Sequence, residues 1–322
     1  MLAFARTSQR RSLRRSRLPA FTMPSIIAFY FSTLALLAPL ISCAGVGLYW
    51  GRRQLPFSPN FLALLVTSVS TPSLVFSTLY STSLDNRSLL DIAVAVALAL
   101  LMAMLLSALV LKLLGLPLRA LLQTATFPNA GNLGLPLSLL AFGEAGFSAA
   151  IAFFAISSFA QNTVGMLTLP NARGAANWRS PIVIASFSAI IFRLLDLSLP
   201  EWLLDSTRLL GSLSVPLMLI SLGYALSSIP ASGLRTGSVL AAIRLSLGLA
   251  SGWFVTWMLD LSPLLSGVII LQMSMPCAVL SYMYASRYTD KAEVSAGAVL
   301  ASTVAFLLLS PFLLRWLAPG TA

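Results

Sequence analysis

The sequence predicts an all-α integral membrane protein with ten transmembrane helices, arranged as two inverted repeats of five helices each. Three observations lead to this fold class. Of the 322 residues, 58% are hydrophobic and only 9% are charged, and the mean hydropathy is +0.90. Ten apolar windows follow one another along the chain, and short motifs from the first half return in the second. The windows leave no room for a soluble domain.

Each window is predicted to form one helix across the bilayer, which takes about 20 residues. The window at 181–195 is the shortest, and we expect its helix to tilt or to extend past Arg193. In chain order, the windows are 26–49, 60–80, 89–113, 117–142, 147–169, 181–195, 203–227, 238–259, 263–285 and 293–317.

The repeats are indicated by pairs of similar motifs that occur in the same order in both halves. Because five helices per repeat is an odd number, the two halves must have opposite orientations in the membrane. We therefore expect repeats at 25–169 and 181–322, joined by a cytoplasmic linker at 170–180. The paired motifs are residues 68–72 with 212–216, Pro128 with Pro276, and residues 162–164 with 302–304.

The fourth window contains a stretch that cannot form a regular lipid-facing helix. Prolines remove backbone donors and glycines ease unwinding, so several peptide groups lose their intrahelical partners. In hydrocarbon such groups must be covered by protein or line a cavity. Carriers hold anionic substrates at broken helices of this kind, which makes the stretch a predicted binding site. Its marker residues are Pro128, Asn129, Gly131, Asn132, Gly134 and Pro136.

Several segments resemble the auxin efflux carrier family, within the bile-acid/auxin/arsenite transporter-like superfamily. The likeness runs from about Ser25 to Trp316, and its most specific part surrounds helix four. The short segment Pro170 to Pro181 replaces the long cytoplasmic loop of plant auxin exporters, which indicates a bacterial-type member and argues against auxin as its substrate. The segments that carry the resemblance are residues 128–137, 142–143, 161–165 and 275–288.

The resemblance implies that helices four and nine are both interrupted and cross at their prolines. It also implies a scaffold of helices one, two, six and seven, a moving unit of the other six, and a homodimer. Members carry organic anions across membranes. The residues that we expect to bind the substrate are Pro128, Asn129, Gly131, Asn132, Gly134, Asn162, Thr163, Ser274, Pro276, Cys277, Ser281 and Tyr282.

The charge of the substrate is predicted from the polar groups near the crossing. Half-helix N-termini offer unpaired N–H groups and partial positive charge, which favour an anion. Arg193, Arg244 and Lys112 are each expected within about two turns of a helix end, which leaves no cation near mid-span. With only dipoles and amides available, we expect one carboxylate on the substrate in preference to two.

The driving force stays open at this point. A carrier coupled to protons or sodium usually has a carboxylate or histidine inside the membrane. The chain has no histidine, and Asp91, Glu144 and Asp260 are the acids closest to the apolar windows. These three acids are the coupling candidates, and a uniporter driven by the membrane potential is the alternative.

We therefore predict a secondary transporter of small organic anions that works by alternating access. The alternative is a sensor that binds a metabolite or lipid on a transporter-like fold. An enzyme is not expected, because the windows contain neither histidine nor paired mid-span acids. No cofactor or metal is expected, and Cys43 and Cys277 are predicted to be free thiols within helices.

The basic residues indicate how the chain is oriented. Ten lie in loops after odd-numbered helices and four lie on the opposite side. The side with more arginine and lysine is cytoplasmic, which predicts both termini outside a bacterial inner membrane. The ten are Arg52, Arg53, Lys112, Arg119, Arg173, Arg179, Arg235, Arg244, Arg287 and Lys291, and the four are Arg87, Arg193, Arg208 and Arg315.

Residues 1–24 form a separate basic arm, and its charge favours the opposite orientation. An arm of this composition is typical of a membrane-surface tail, a nucleic-acid-binding tail or a transit peptide. We expect it instead not to belong to the mature protein, because Met23 directly precedes the first window and would serve as a start. No nucleic acid is expected among the partners. The basic residues of the arm are Arg6, Arg10, Arg11, Arg14, Arg15 and Arg17.

Overall fold

The computed structural model describes residues 23–172, 180–227 and 233–317, and these are almost entirely helical. The basic arm, except for its last two residues, and most of the linker at 170–180 lie outside the described residues. The helices are α1 Met23–Arg52, α2 Pro59–Leu65, α3 Thr71–Ser81, α4 Asn86–Leu113, α5 Leu118–Thr126, α6 Leu135–Ala160, α7 Met166–Thr168, α8 Pro181–Leu194, α9 Glu201–Ser212, α10 Ser214–Ser227, α11 Leu234–Met258, α12 Pro263–Met273, α13 Val279–Tyr288 and α14 Ala292–Leu317.

Three π-helical turns interrupt the first half of the chain, at Val66–Ser70, Ala130–Gly134 and Gln161–Gly165. A π-helical turn adds one residue to the α-helical repeat and shifts the side chains that follow it, and such turns are frequent at functional sites. The second and third of these turns lie within segments that the sequence marks as substrate-binding.

Within the described ranges, six helical stretches are long and apolar enough to cross a membrane. Two shorter apolar helices accompany them, Pro181–Leu194 and Pro263–Met273. Every window predicted from the sequence contains helix, but length and apolarity alone do not establish ten spans. The six stretches are Pro59–Ser81, Asn86–Leu113, Ala130–Thr168, Glu201–Ser227, Leu234–Met258 and Ala292–Leu317.

The longest stretch is interrupted at Gly143, whose backbone angles of φ +64° and ψ −160° are not helical. A positive φ is readily adopted by glycine and disfavoured for other residues. The interruption falls between the predicted end of the fourth window and the predicted start of the fifth. Residues 135–142 and 144–160 are therefore separate helical segments of α6.

Ser-Pro pairs begin three helices. Residues 58–59, 180–181 and 262–263 start α2, α8 and α12, and each serine side chain accepts a hydrogen bond from an amide of the first turn. Proline fits there because its missing N–H would have no helical partner. Asp85 caps α4 in the same way, and hydrogen bonds from Ser88 hold the pKa of its carboxyl below the usual value.

Glycines allow close contact between helix backbones, as two examples show. A Cβ atom added at Gly223 of α10 would lie 1.8 Å from the carbonyl oxygen of Ala44 in α1. A Cβ atom at Gly237 of α11 would lie 2.5 Å from the backbone of Gly297 in α14. Small residues at helix contacts are typical of membrane proteins, where tight packing replaces the hydrophobic effect between helices.

Tryptophan side chains are exposed near helix ends. Trp50, Trp202, Trp257 and Trp316 lie near the ends of α1, α9, α11 and α14. Tryptophan concentrates where lipid headgroups meet the hydrocarbon region. The distribution is that of an integral membrane protein, in agreement with the six apolar stretches.

Candidate functional site

The two interrupted helices meet at their breaks. Helix α5 ends at Thr126 and extended backbone follows it, whereas α12 ends at Met273 and a turn at Ser274 leads into the extended segment around Cys277. The extended segments pair as an antiparallel bridge between Pro128 and Cys277. The N–H of Asn129 donates to the carbonyl oxygen of Pro276 over 2.8 Å. The pairing satisfies buried peptide groups that the helices leave without partners.

A second backbone bond completes the pairing. The N–H of Ala278 donates to the carbonyl oxygen of Phe127 over 3.2 Å. The N–H of Cys277 points elsewhere and donates to the Ser302 hydroxyl on α14 over 3.0 Å. Cys277 is fully buried, and both Cys43 and Cys277 are free thiols, as predicted.

Two helix N-termini begin at this crossing. The π-helical turn Ala130–Gly134 starts on one side, and the carbonyl of Asn129 accepts hydrogen bonds from Leu133 and Gly134. Helix α13 starts at Val279 on the other side. The first amides of a helix have no intrahelical acceptor, so both starts bring donors and partial positive charge to the crossing.

The side chain of Asn129 is the most distinctive polar group of the crossing. It is buried, with 4% of its surface exposed, and its Nδ2 atom has no hydrogen-bond partner within the described part of the chain. A buried amide N–H without an acceptor is unfavourable by itself. Asn129 therefore offers a donor that a ligand can use, whereas Asn132 is half-buried beside it.

Gly131 and Gly134 make room for neighbouring side chains. A Cβ atom at Gly131 would lie 2.8 Å from the ring of Phe154, and one at Gly134 would lie 2.2 Å from Oε1 of Gln272. Gln272 is fully buried, and its Nε2 donates to the Ser138 hydroxyl over 3.1 Å. The two glycines let the turn after the break pack closely against both neighbours.

The π-helical turn Gln161–Gly165 is tied to α13 by two side-chain hydrogen bonds. Nε2 of Gln161 donates to the Ser281 hydroxyl over 3.0 Å. The Tyr284 hydroxyl donates to Oδ1 of Asn162 over 2.5 Å. The predicted residues Asn162 and Ser281 thus both lie at the contact between this turn and α13.

Three predicted site residues have other contacts. The Thr163 hydroxyl donates to the carbonyl of Phe159 and the Ser274 hydroxyl to that of Ile270, each over 2.7 Å within its own helix. Tyr282 of α13 packs against an apolar cluster that contains residues of α4, α5, α11 and α14 together with Cys277. The two hydroxyl bonds therefore stay within one helix each, whereas Tyr282 contributes to the packing of α13 near α5.

The coupling candidates lie at or near helix ends. Glu144 is exposed beside the interruption at Gly143. Asp260 is exposed in the turn after α11, and Asp91 is half-buried near the start of α4. In the stretches that the structure covers, no group of three or more His, Cys, Asp or Glu side chains could hold a metal ion.

Arg244 is the main correction to the sequence-based expectations. The expectation that it lies near a helix end is wrong, because α11 begins at Leu234, earlier than the apolar window at 238–259 indicates. Arg244 lies near the middle of α11 and is fully buried. Its removal from the loop count leaves nine basic residues against four.

The guanidinium of Arg244 contacts the end of a broken helix. Its Nη2 donates to the carbonyl oxygen of Met273, the last residue of α12, over 2.6 Å. Its Nε and Nη1 have no hydrogen-bond partner among the described residues. The expected absence of a cation near mid-span, and the preference for a single carboxylate that followed from it, are therefore not supported.

Two buried glutamines were not among the predicted site residues. Gln123 and Gln272 each lie in the last turn before a break, and the Oε1 of each has no hydrogen-bond partner within the described ranges. Nε2 of Gln123 donates to the carbonyl of Gln161 over 3.4 Å. Their position just before the breaks, inside apolar windows, was the signal that could have identified them.

Comparisons with known proteins identify the family of the chain. The chain matches the family described as membrane transport protein over residues 32–179 and 174–314. It is also similar to an uncharacterised transporter of Methanocaldococcus jannaschii, with 26% identity over 264 residues that cover 76% of this chain and 85% of the relative. The chain therefore belongs to the membrane transport protein family, which is the auxin efflux carrier family that its motifs resemble.

Proposed function

We propose that this membrane transporter is a secondary carrier of small organic anions, with its substrate site at the crossing of the two broken helices. The supporting observation is the backbone pair between Asn129 and Pro276, beside a buried Asn129 amide that lacks a partner. Two helix N-termini and an amide donor suit a carboxylate and do not suit a cation.

We propose the ten-helix inverted repeat as the architecture that carries this site. The break at residues 127–129 and the interruption at Gly143 divide residues 118–168 into a broken fourth helix and a fifth helix. Residues 263–288 form the corresponding broken ninth helix. When the chain is divided at these points, the helices of each half can be grouped into five spans.

Alternating access requires two groups of helices that move against each other. In the proposed scaffold, α1 packs on α10, and Gly211 of α9 fits against the backbone of Leu74 in α3. In the proposed moving unit, α11 packs on α12 and α14. Tight contacts within each group support motion of the groups as units.

The crossing residues are mostly buried, so the substrate must reach them through such a motion.

We propose both termini on the outer side of a bacterial inner membrane, in line with the excess of basic residues in the opposite loops. A homodimer follows from the family resemblance. The experiment below distinguishes a proton gradient, a sodium gradient and the membrane potential as the driving force.

The experiment measures uptake of labelled malate, pyruvate and indole-3-acetate into proteoliposomes. Membrane potential, pH gradient and sodium gradient are imposed separately. The variant Asn129→Ala removes the amide at the crossing, and Asn86→Ala removes an exposed amide at the start of α4 as a control. We expect uptake of at least one acid, loss of uptake in Asn129→Ala, and no change in Asn86→Ala.

Two results would contradict the proposal. Uptake that is equal in Asn129→Ala and in the unmodified protein would place the substrate elsewhere. Binding of an acid without uptake under any gradient would favour the alternative of a sensor on a transporter-like fold. Dependence on the pH gradient would direct attention to Asp91, Glu144 and Asp260.

A further inference from the structure

We propose that Arg244 is the fixed counter-charge for the carboxylate of the substrate and determines the preference for anions over neutral molecules. This inference rests on the proposed function, because it assigns a further residue to the same site. The resemblance to the family did not identify this residue.

The position of the guanidinium is fixed by close packing. Gly248 lies one turn after Arg244 on α11, and a Cβ atom there would lie 2.1 Å from the carbonyl oxygen of Met273. The same Cβ atom would lie 2.5 Å and 2.8 Å from Nη1 and Nη2 of Arg244. Gly248 therefore leaves the space in which the guanidinium reaches the end of α12.

None of the acids in the described part of the chain forms an ion pair with Arg244. The guanidinium of arginine stays protonated in proteins. Within the described ranges the ion pairs are Arg208 with Asp205 and Lys291 with Asp290, and all four side chains are exposed. The carbonyl end of α12 carries only a partial negative charge. A fully buried cation with so little compensation is unfavourable unless another anion binds nearby.

Arg244 is close to the crossing. Met273, whose carbonyl accepts the hydrogen bond from Arg244, directly precedes the turn that leads into the extended segment of Pro276 and Cys277. Cys277 pairs with Pro128, the residue before Asn129. The first half of the chain thus contributes the unpartnered amide of Asn129 to the region of the crossing. The second half contributes the unpartnered guanidinium N–H groups of Arg244.

A carboxylate matches these donors, because each of its two oxygens can accept hydrogen bonds and its charge cancels that of the guanidinium. A neutral amide of the same shape offers one carbonyl oxygen and no charge. The site is therefore expected to discriminate between an acid and its amide, and Arg244 is expected to provide much of that discrimination.

The test uses the full chain in proteoliposomes, with each acid of the uptake panel and its uncharged amide as the probes. Arg244→Gln removes the charge but retains an N–H group that can donate to Met273, and Arg244→Lys retains the charge. Arg193→Met is the matched control. Arg193 lies at the end of α8, and its guanidinium also donates to backbone carbonyls, those of Thr82 and Leu84.

We expect Arg244→Gln to lower the ratio of acid to amide affinity by about tenfold or more, as for the loss of a charge-assisted hydrogen bond. The ratio of acid to amide affinity in Arg244→Lys should lie between that of Arg244→Gln and that of the unmodified protein. In Arg193→Met the ratio should equal that of the unmodified protein. Equal ratios in Arg244→Gln and Arg244→Lys would overturn the inference.

The outcomes separate this inference from the proposed function. If the unmodified protein takes up no acid, the proposed function fails. If Asn129→Ala abolishes uptake while Arg244→Gln keeps the full ratio, only the role of Arg244 fails. If Arg244→Gln does not yield monodisperse protein, Arg244→Lys decides: a loss of the acid-to-amide affinity ratio smaller than about tenfold supports the inference, and a loss of about tenfold or more overturns it.

Discussion

The backbone N–H of Asn129 and the carbonyl oxygen of Pro276 are 2.8 Å apart and join the two broken helices by a direct hydrogen bond. The residues are far apart in the sequence, one in each half of the chain. Because the pair is buried, water does not compete for it, and a shift of one extended segment must move the other. In the proposed transport cycle, the crossing is therefore expected to move as one unit.

The variant Gly134→Ala tests how closely this unit is packed. The added methyl group would lie 2.2 Å from Oε1 of Gln272, a fully buried side chain that also donates to Ser138. Overpacking at such a site costs about 1–3 kcal/mol. We expect a lower melting temperature of the purified protein and reduced uptake.

The double variant Gly134→Ala/Gln272→Ala supplies the specific control. Removal of the glutamine relieves the clash, so the double variant should be less destabilised than the sum of the two single variants. Gly45→Ala should have no such effect, because the structure places nothing within 4 Å of a Cβ atom there. Simple additivity of the two substitutions would show that Gly134 and Gln272 are not in contact.

The broken helices were predictable from the sequence because prolines, glycines and asparagines inside an apolar window have direct consequences for backbone hydrogen bonds. The family resemblance implied that the two broken helices cross at their prolines, and in the structure Pro128 pairs with Cys277, the residue after Pro276. The roles expected for Thr163 and Ser274 were less predictable, because a hydroxyl in a helix can donate to its own backbone, and both do.

The error about Arg244 has a different cause. The apolar window at 238–259 begins after the first turn of α11, since Arg235 lowers the local hydropathy. The true start at Leu234 places Arg244 near mid-helix. The π-helical turns were also not predicted, because the extra residue depends on contacts with other helices and leaves no mark in a hydropathy pattern.

The variant Ser302→Ala tests the support that α14 gives to the crossing. It removes the acceptor for the N–H of Cys277 and leaves that buried donor without a partner. The expected loss is about 1–3 kcal/mol of stability, seen as a lower melting temperature. Ser238→Ala is the control, because that exposed hydroxyl donates only to its own helix, and its melting temperature should not change. Equal melting temperatures for the two variants would contradict the role of Ser302.

The variant Tyr284→Phe tests the contact between α13 and the π-helical turn. It removes the hydroxyl that donates to Oδ1 of Asn162 over 2.5 Å and keeps the ring. We expect a loss of about 1 kcal/mol of stability and a higher KM for uptake, because the Asn162 amide, whose Nδ2 donates to the Ser158 carbonyl, loses the hydrogen bond at its Oδ1. Tyr49→Phe, at an exposed position on α1, should change neither quantity. An unchanged KM in Tyr284→Phe would remove Asn162 from the site.

The position of Arg244 also predicts the ion dependence of transport. Carbonyl groups at the end of a broken helix hold the coupling sodium ion in other carriers. Here the Met273 carbonyl already accepts a hydrogen bond from Arg244. Replacement of sodium by choline on both sides of the proteoliposome membrane should therefore leave uptake unchanged. Uptake that requires sodium would show that another group of carbonyls binds the ion.

The most direct test of the central claim uses Cys277, the thiol at the crossing, as a reporter. In a Cys43→Ser background, the rate at which N-ethylmaleimide labels Cys277 is measured with and without a saturating transported acid. If the substrate binds at the crossing and the crossing opens during transport, Cys277 is labelled slowly, and the acid but not its amide slows labelling further. A labelling rate that the acid does not change, or no labelling while uptake proceeds, would contradict the account.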